Sequence, residues 1–170
     1  MTIATFRSRV RVRWILSSVI ALVVFVALAV VPAETQGTPD IAVIVNPDVQ
    51  VDNLALADLR RILLGDREFW PSGVRVTLLI RAPIARERDA VVKDVCEMTE
   101  AQFRQHWIGK VFRNETPSAP KIVYSNEMAL DQVSRTPGAI ALVEASSVNR
   151  NVKVVKIDGK APGQPGYKVR

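Results

Sequence analysis

A chain of 170 residues with one cysteine and one histidine has little from which to build a reactive centre. Cys96 alone excludes an intramolecular disulfide and a thiolate metal cluster, even in an oxidising compartment. It also lies far from the early apolar run, at whose end a lipid-accepting cysteine would have to stand. His106 has no acid, serine or cysteine at a motif spacing, so a structural role is expected for it. The chain has no Gly-rich phosphate loop, nucleophile elbow, zinc pattern or internal repeat. Accordingly no catalytic residue, no metal ligand and no cofactor is predicted. Acids are missing as well, from the whole of the first 33 positions.

That acid-free stretch holds Arg7, Arg9, Arg11 and Arg13, followed by the apolar run Trp14–Val31. Such a run falls between the core of an export signal and a comfortable bilayer span. Val31-Pro32-Ala33 offers small residues for cleavage before Glu34; left uncut, the segment is an N-terminal hydrophobic helix that ties the chain to the membrane. In both cases the arginines stay inside and the rest is expected outside the cytoplasm, in the periplasm or an equivalent space. Positions 1–33 are thus a signal peptide or anchor, and 34–40 a polar tether. Four of the 23 basic residues leave with the first segment while all 17 acids remain, which lowers the net charge from +6 to +2. No basic stripe with interleaved aromatics remains, and nucleic acid is not an expected partner.

The remainder suffices for one domain with one core, because chains of this size bury roughly two thirds of their unfolded surface. Ile41–Val45 reads as a buried strand stopped by Asn46-Pro47. Leu56, Leu59, Ile62 and Leu63 give a helix over 55–64 with Gly65 as its stop and Asn53 or Asp52 as a candidate cap. Val74–Ile80 is the second strand. A helix is expected over 86–98, its Arg86, Glu87, Arg88 and Asp89 forming a solvated, salt-bridged face. Thr99-Glu100-Ala101-Gln102 is a capping box for another helix, in which Phe103, Trp107 and Val111, with Ile108 and Phe112 beside them, are expected to pack the core. Then come a loop over 113–120, a short strand Lys121–Tyr124, a helix from Ser125 or Asn126 to Arg135, a strand Ala139–Glu144, an edge strand Val152–Ile157 and a flexible tail over 160–170. Alternating strands and helices argue for an α/β fold with helices on both faces of a small mixed sheet.

Two blocks carry a family likeness. Leu59-Arg60-Arg61-Ile62-Leu63-Leu64-Gly65, then Phe69-Trp70-Pro71, then Val74 to Arg81, resembles the Leu-x-x-Ile-Phe-x-Gly, aromatic-Trp, strand, Arg succession of the phosphate-binding subunits of ABC transporters. Thr136-Pro137-Gly138-Ala139-Ile140-Ala141-Leu142-Val143-Glu144 resembles their Pro-Gly-x-Ile-Gly-Tyr-Val-Glu segment. The resemblance covers 41–159 and implies a single lobe like that of a periplasmic binding protein, with phosphate or another small oxyanion as ligand and an ABC transporter or envelope protein as partner.

On that footing Arg81 matches the family's anion-contacting arginine. It also ends a predicted strand, where ligands of open α/β sheets collect. Arg86, at the start of the following helix, and Ser125 and Asn126, before a later one, complete the candidate ligand set, although capping alone accounts for the last two. The family places a Ser/Gly/Thr-rich loop after its arginine, whereas this chain reads Ala82-Pro83-Ile84-Ala85. Micromolar capture needs about 8 kcal/mol. One arginine supplies roughly 1.5–3 kcal/mol and a helix end roughly 0.3–1. Weak or partner-completed anion binding is therefore the expectation, with a non-catalytic envelope interaction module as the alternative.

Overall fold

Five apolar residues in a row, Ile41–Val45, leave no polar side for water, and the chain covers them on both faces. The structure, a computed structural model, describes residues 40–117 and 119–169. Its elements run β1 (Ile41–Val45), β2 (Asn53–Leu54), α1 (Leu56–Leu63), β3 (Thr77–Arg81) and α2 (Arg86–Asp89), which continues as a π-helical segment, Ala90–Val95. They go on through α3 (Glu100–Phe112), β4 (Lys121–Val123), α4 (Asn126–Arg135), β5 (Ala139–Glu144), a 3-10 turn at Ala145–Ser147, and β6 (Lys153–Ile157). Six strands form one mixed sheet in the order β2-β6-β1-β5-β3-β4. β1 is antiparallel to both neighbours, with Val43 opposite Leu142 of β5 and Val155 of β6, while β3 is parallel to β5 and to β4.

Strand alternation divides the core. Ile41, Val43 and Val45 meet Leu59 and Ile62 of α1, Val91 and Val95 of the π-helical segment, and Phe103 of α3. Ala42 and Ile44 meet Ala129, Leu130 and Val133 of α4. The expected mixed sheet with helices on both faces is what these residues build. Among the described residues no helix is long and apolar enough to cross a membrane; the apolar run Trp14–Val31 lies outside them.

Several local expectations are corrected. Val74–Val76 precede the sheet: Trp70 N–H donates to Val74 O and Val76 N–H to Glu68 O, each at 2.8 Å, so these residues form the return arm of a tight turn and β3 starts at Thr77. β6 is not an edge, because the two-residue β2 pairs outside it. α1 has no cap from Asn53 or Asp52. Leu56 N–H donates to Asp158 Oδ1 at 3.1 Å, and Gly159 N–H returns a bond to Asn53 Oδ1 at 2.7 Å. Phe103 and Trp107 pack as predicted, but Ile108, Val111 and Phe112 face outward. The segment after Gly159 is not loose. Tyr167 and Val169 are buried, Tyr167 O–H donates to Ile41 O at 2.8 Å, and Ile41 N–H donates to Val169 O at 3.3 Å.

Gly138 is the junction between β5 and the turn before β3. Its carbonyl accepts both Thr77 N–H at 3.0 Å and the indole N–H of the buried Trp70 at 2.9 Å. Its φ of 71° and a backbone so close that a Cβ would collide with Arg75 O leave room for glycine alone. Gly138→Ala should therefore cost about 3 kcal/mol or more in urea unfolding. Gly73→Ala, at φ 81° with open space around it, should cost only about 1–2 kcal/mol.

Asp158 adds a pH dependence. Its carboxyl is held below the ordinary value first by Leu56 N–H and then by Lys168. A depressed folded-state value means stability that is present above the ordinary carboxylate range and lost as pH falls through the lowered one. Thermal melts of Asp158→Asn should accordingly show a shallower loss of stability on acidification than the parent chain.

Candidate functional site

β3 ends on a charge. Thr77 to Ile80 run into the core, and Arg81 follows at the strand's carboxyl end with 13% of its side chain exposed. The register of β3 and β4 sets Arg81 opposite Val123, two residues before Ser125. The carboxyl ends of both strands, the start of α2 and the start of α4 therefore lie at one edge of the sheet. All four candidate ligand residues, Arg81, Arg86, Ser125 and Asn126, belong to this edge.

Their states differ. Arg81 Nε and Nη1 are buried with no hydrogen-bond partner. Glu87 Oε2 stands 3.5 Å from Nε, an ion pair too long for a hydrogen bond, and the Glu87 side chain is 8% exposed. Asn126 Oδ1 is likewise buried and unpaired. Ser125 is occupied: its Oγ accepts Met128 N–H at 3.1 Å as the α4 cap, and its hydroxyl binds Glu127. Arg86 is half-buried, and its charge acts on Asp94 further along the helix. Arg81 and Asn126 are thus the two residues of the set with buried polar atoms left open.

The loop from Ala82 to Ala85 gives little to a ligand. Ala82 N–H is bound to Val123 O at 2.9 Å, Ala85 N–H to Ala82 O at 3.3 Å, and Pro83 has no N–H. Between them Ile84 sits at φ 77° and is 99% exposed. A β-branched side chain in that region is strained, a condition that gathers at binding sites and switch regions.

Two carboxylates at this edge are not evident as site residues from the sequence. Glu87 was expected on a solvated face. Instead Glu87 and Arg88 turn inward: Arg88 Nε and Nη2 donate to both oxygens of Glu100 at 3.0 and 2.7 Å, and its guanidinium lies 4.9 Å from the Phe103 ring centre. Asp89 remains on the outer side, paired with Lys93 at 3.0 Å. Glu127 is the second. Its carboxyl is held below the usual range by its own backbone N–H, then the Ser125 hydroxyl, with a further contribution from the charge of Arg81. Glu87 follows Arg81 by six residues and Glu127 occupies the first turn after a cap, so only the fold shows that Glu87 pairs with this guanidinium and that its charge acts on Glu127.

Other singled-out side chains hold the fold. The His106 ring donates from Nε2 to Leu64 O at 2.8 Å and packs edge-on against Trp107. Lys110 is buried on α3 and reaches Asp66 Oδ1 at 2.6 Å. Burial pushes the Cys96 thiol up to about 12, far from a reactive thiolate. Among the described residues no group of three or more His, Cys, Asp or Glu could hold a metal ion.

No protein-family model matches the chain. Solved structures share its fold. One, described as a phosphate ABC transporter substrate-binding protein from Clostridium perfringens with bound phosphate, is 20% identical over 77% of this chain and 52% of its own, with a TM-score of 0.61. An ABC-type phosphate transport receptor from Vibrio cholerae is 18% identical over 73% and 48%, with a TM-score of 0.58. PstS from Borrelia burgdorferi is 15% identical over 77% and 54%, with a TM-score of 0.61. The chain therefore has the fold of phosphate-type substrate-binding proteins and spans about half the length of these three.

Removing one member of a buried ion pair strands the other. Glu87→Gln should cost on the order of 1–3 kcal/mol in urea unfolding, the smaller end reflecting the length of its contact to Arg81.

Proposed function

We propose that the chain is an extracytoplasmic, non-catalytic binding lobe that takes a small oxyanion weakly at Arg81, with a partner protein supplying the rest of the grip. The observation that carries this reading is the guanidinium itself, buried at a strand end with Nε and Nη1 unpaired. Buried donors without acceptors destabilise a fold by about 1–3 kcal/mol each, and a phosphate or sulfate oxygen is an acceptor that fits them. Location at the start of α4, a helix of ten residues, favours negative charge further. The solved phosphate-binding proteins of the same fold support phosphate as the first ligand to try, and an ABC transporter as the first partner class. Export rests on the arginines before Trp14–Val31.

Magnitudes set the strength. Glu87 and Glu127 already occupy the field of Arg81, and the loop after it has almost no spare N–H. An incoming anion must compete with both carboxylates, so affinity in the millimolar range, about 4 kcal/mol, is the expected result. The alternative reading, an envelope interaction module without a small ligand, is favoured by the exposed Ile84 and Tyr124 at the same edge.

Calorimetric titration of the purified chain with phosphate and with sulfate tests the reading. Millimolar binding should vanish in Arg81→Met and tighten about tenfold in Glu127→Gln, which removes a competing charge. Absence of heat at high millimolar anion in both parent and Glu127→Gln would leave the interaction module standing instead.

A further inference from the structure

A second apolar surface lies between α3 and β4. On α3, Ile108 and Phe112 point outward, and Phe112 is 86% exposed. Facing them on β4 is Ile122, 48% exposed. Between the helix and the strand runs an apolar groove of about 470 Å³, also lined by the buried Phe103 and Trp107 and by Pro120. Large exposed apolar patches on soluble domains mark contact surfaces.

Among the described residues β4 is also the last strand of the sheet. Ala82 N–H bonds Val123 O, so Val123 directs its backbone toward β3 and the preceding residue, Ile122, turns its own N–H and C=O to the open side. The same residue therefore offers a side chain to the groove and a backbone pair to an added strand. Lys121, next along β4, projects to the opposite face, and Arg104 rims the groove from α3. Lys121 forms no ion pair among the described residues, whereas the charge of Arg104 acts on Glu100. Arg88, also on the rim, is already neutralised by Glu100.

From this we infer that the α3–β4 groove docks an extended segment of a partner protein, one that alternates apolar with acidic residues and adds a strand to β4. Alternate side chains of such a segment enter the groove beside Ile122 and Phe112, and the intervening carboxylates meet Lys121 on the other face. Charge decides against a second copy. A two-fold pairing centred on Ile122 would bring the Lys121 side chains of both copies to one face as diagonal neighbours, and a lysine on an edge strand is a device that opposes self-pairing. Backbone chemistry decides against a bilayer, because hydrocarbon cannot satisfy the open N–H and C=O of Ile122. The inference does not depend on whether Arg81 takes an anion.

Selection of a displayed nine-residue random peptide library on the purified full chain, counter-selected on Phe112→Ser, tests it. Both positions are exposed, so the variants should fold, as circular dichroism would verify. Selected peptides should alternate apolar and acidic residues and bind with dissociation constants in the tens of micromolar. Phe112→Ser and Ile122→Lys should each weaken them at least about tenfold, and Lys121→Glu should reverse the preference from acidic to basic. Failure to enrich any sequence over Phe112→Ser, or enrichment without acidic bias, overturns the inference. So does a concentration-dependent dimer, or sedimentation with phosphatidylcholine–phosphatidylglycerol vesicles, that Phe112→Ser abolishes while no peptide is enriched.

Discussion

The carbonyl of Gly138 holds the two halves of the sheet in register. It receives a backbone N–H from the first residue of β3 and the indole N–H of Trp70 from the turn before it. β5 is the only strand that touches both β1 and β3 among the described residues, so this acceptor, with the pairs Thr77–Ala139 and Leu78–Ile140, sets how the β1 side meets the β3 side. Arg81 owes its position to that junction. Three residues of strand separate Thr77 from Arg81, and a slip of one residue would turn the guanidinium to the other face.

Electrostatic balance at the Arg81 edge explains why the fold of a phosphate receptor does not by itself confer tight capture. A receptor site for an oxyanion presents donors and excludes negative charge. Here Glu87 pairs with the guanidinium, the charge of Arg81 also acts on Glu127, and the neighbouring loop spends its amides on Val123 and Ala82. What is left open, on Arg81 and Asn126, is the basis of the weak binding proposed above. The strained, fully exposed Ile84 fits a surface completed by contact with something larger.

The sequence was most legible where local chemistry and long-range contact coincide. Trp70 and Pro137-Gly138 lie far apart in the chain, yet each is locally distinctive, and the bond between them explains why the two blocks occur together. The caps at Thr99 and Ser125 were readable because donor and acceptor lie three residues apart. Asp158 was not readable as the cap of α1, since it lies 102 positions beyond Leu56. Nor could β2, at two residues, show any period. In α3 the period was real but the burial was not: every apolar position looked alike, while only Phe103 and Trp107 have the sheet beneath them. At the site, Arg81 was legible from its place at a strand end, whereas the two opposing carboxylates required the fold.

One feature of the topology bears on biosynthesis. β1 is the earliest strand of the sheet, yet its two neighbours are β5 and β6, the last two to be made, and Ile41 is further tied to Tyr167 and Val169. A nascent chain cannot satisfy that strand's hydrogen bonds until nearly all of the domain has left the ribosome. Such delayed closure keeps the polypeptide threadable, which suits the export proposed above, since a translocation channel accepts an open chain that settles its structure on the far side.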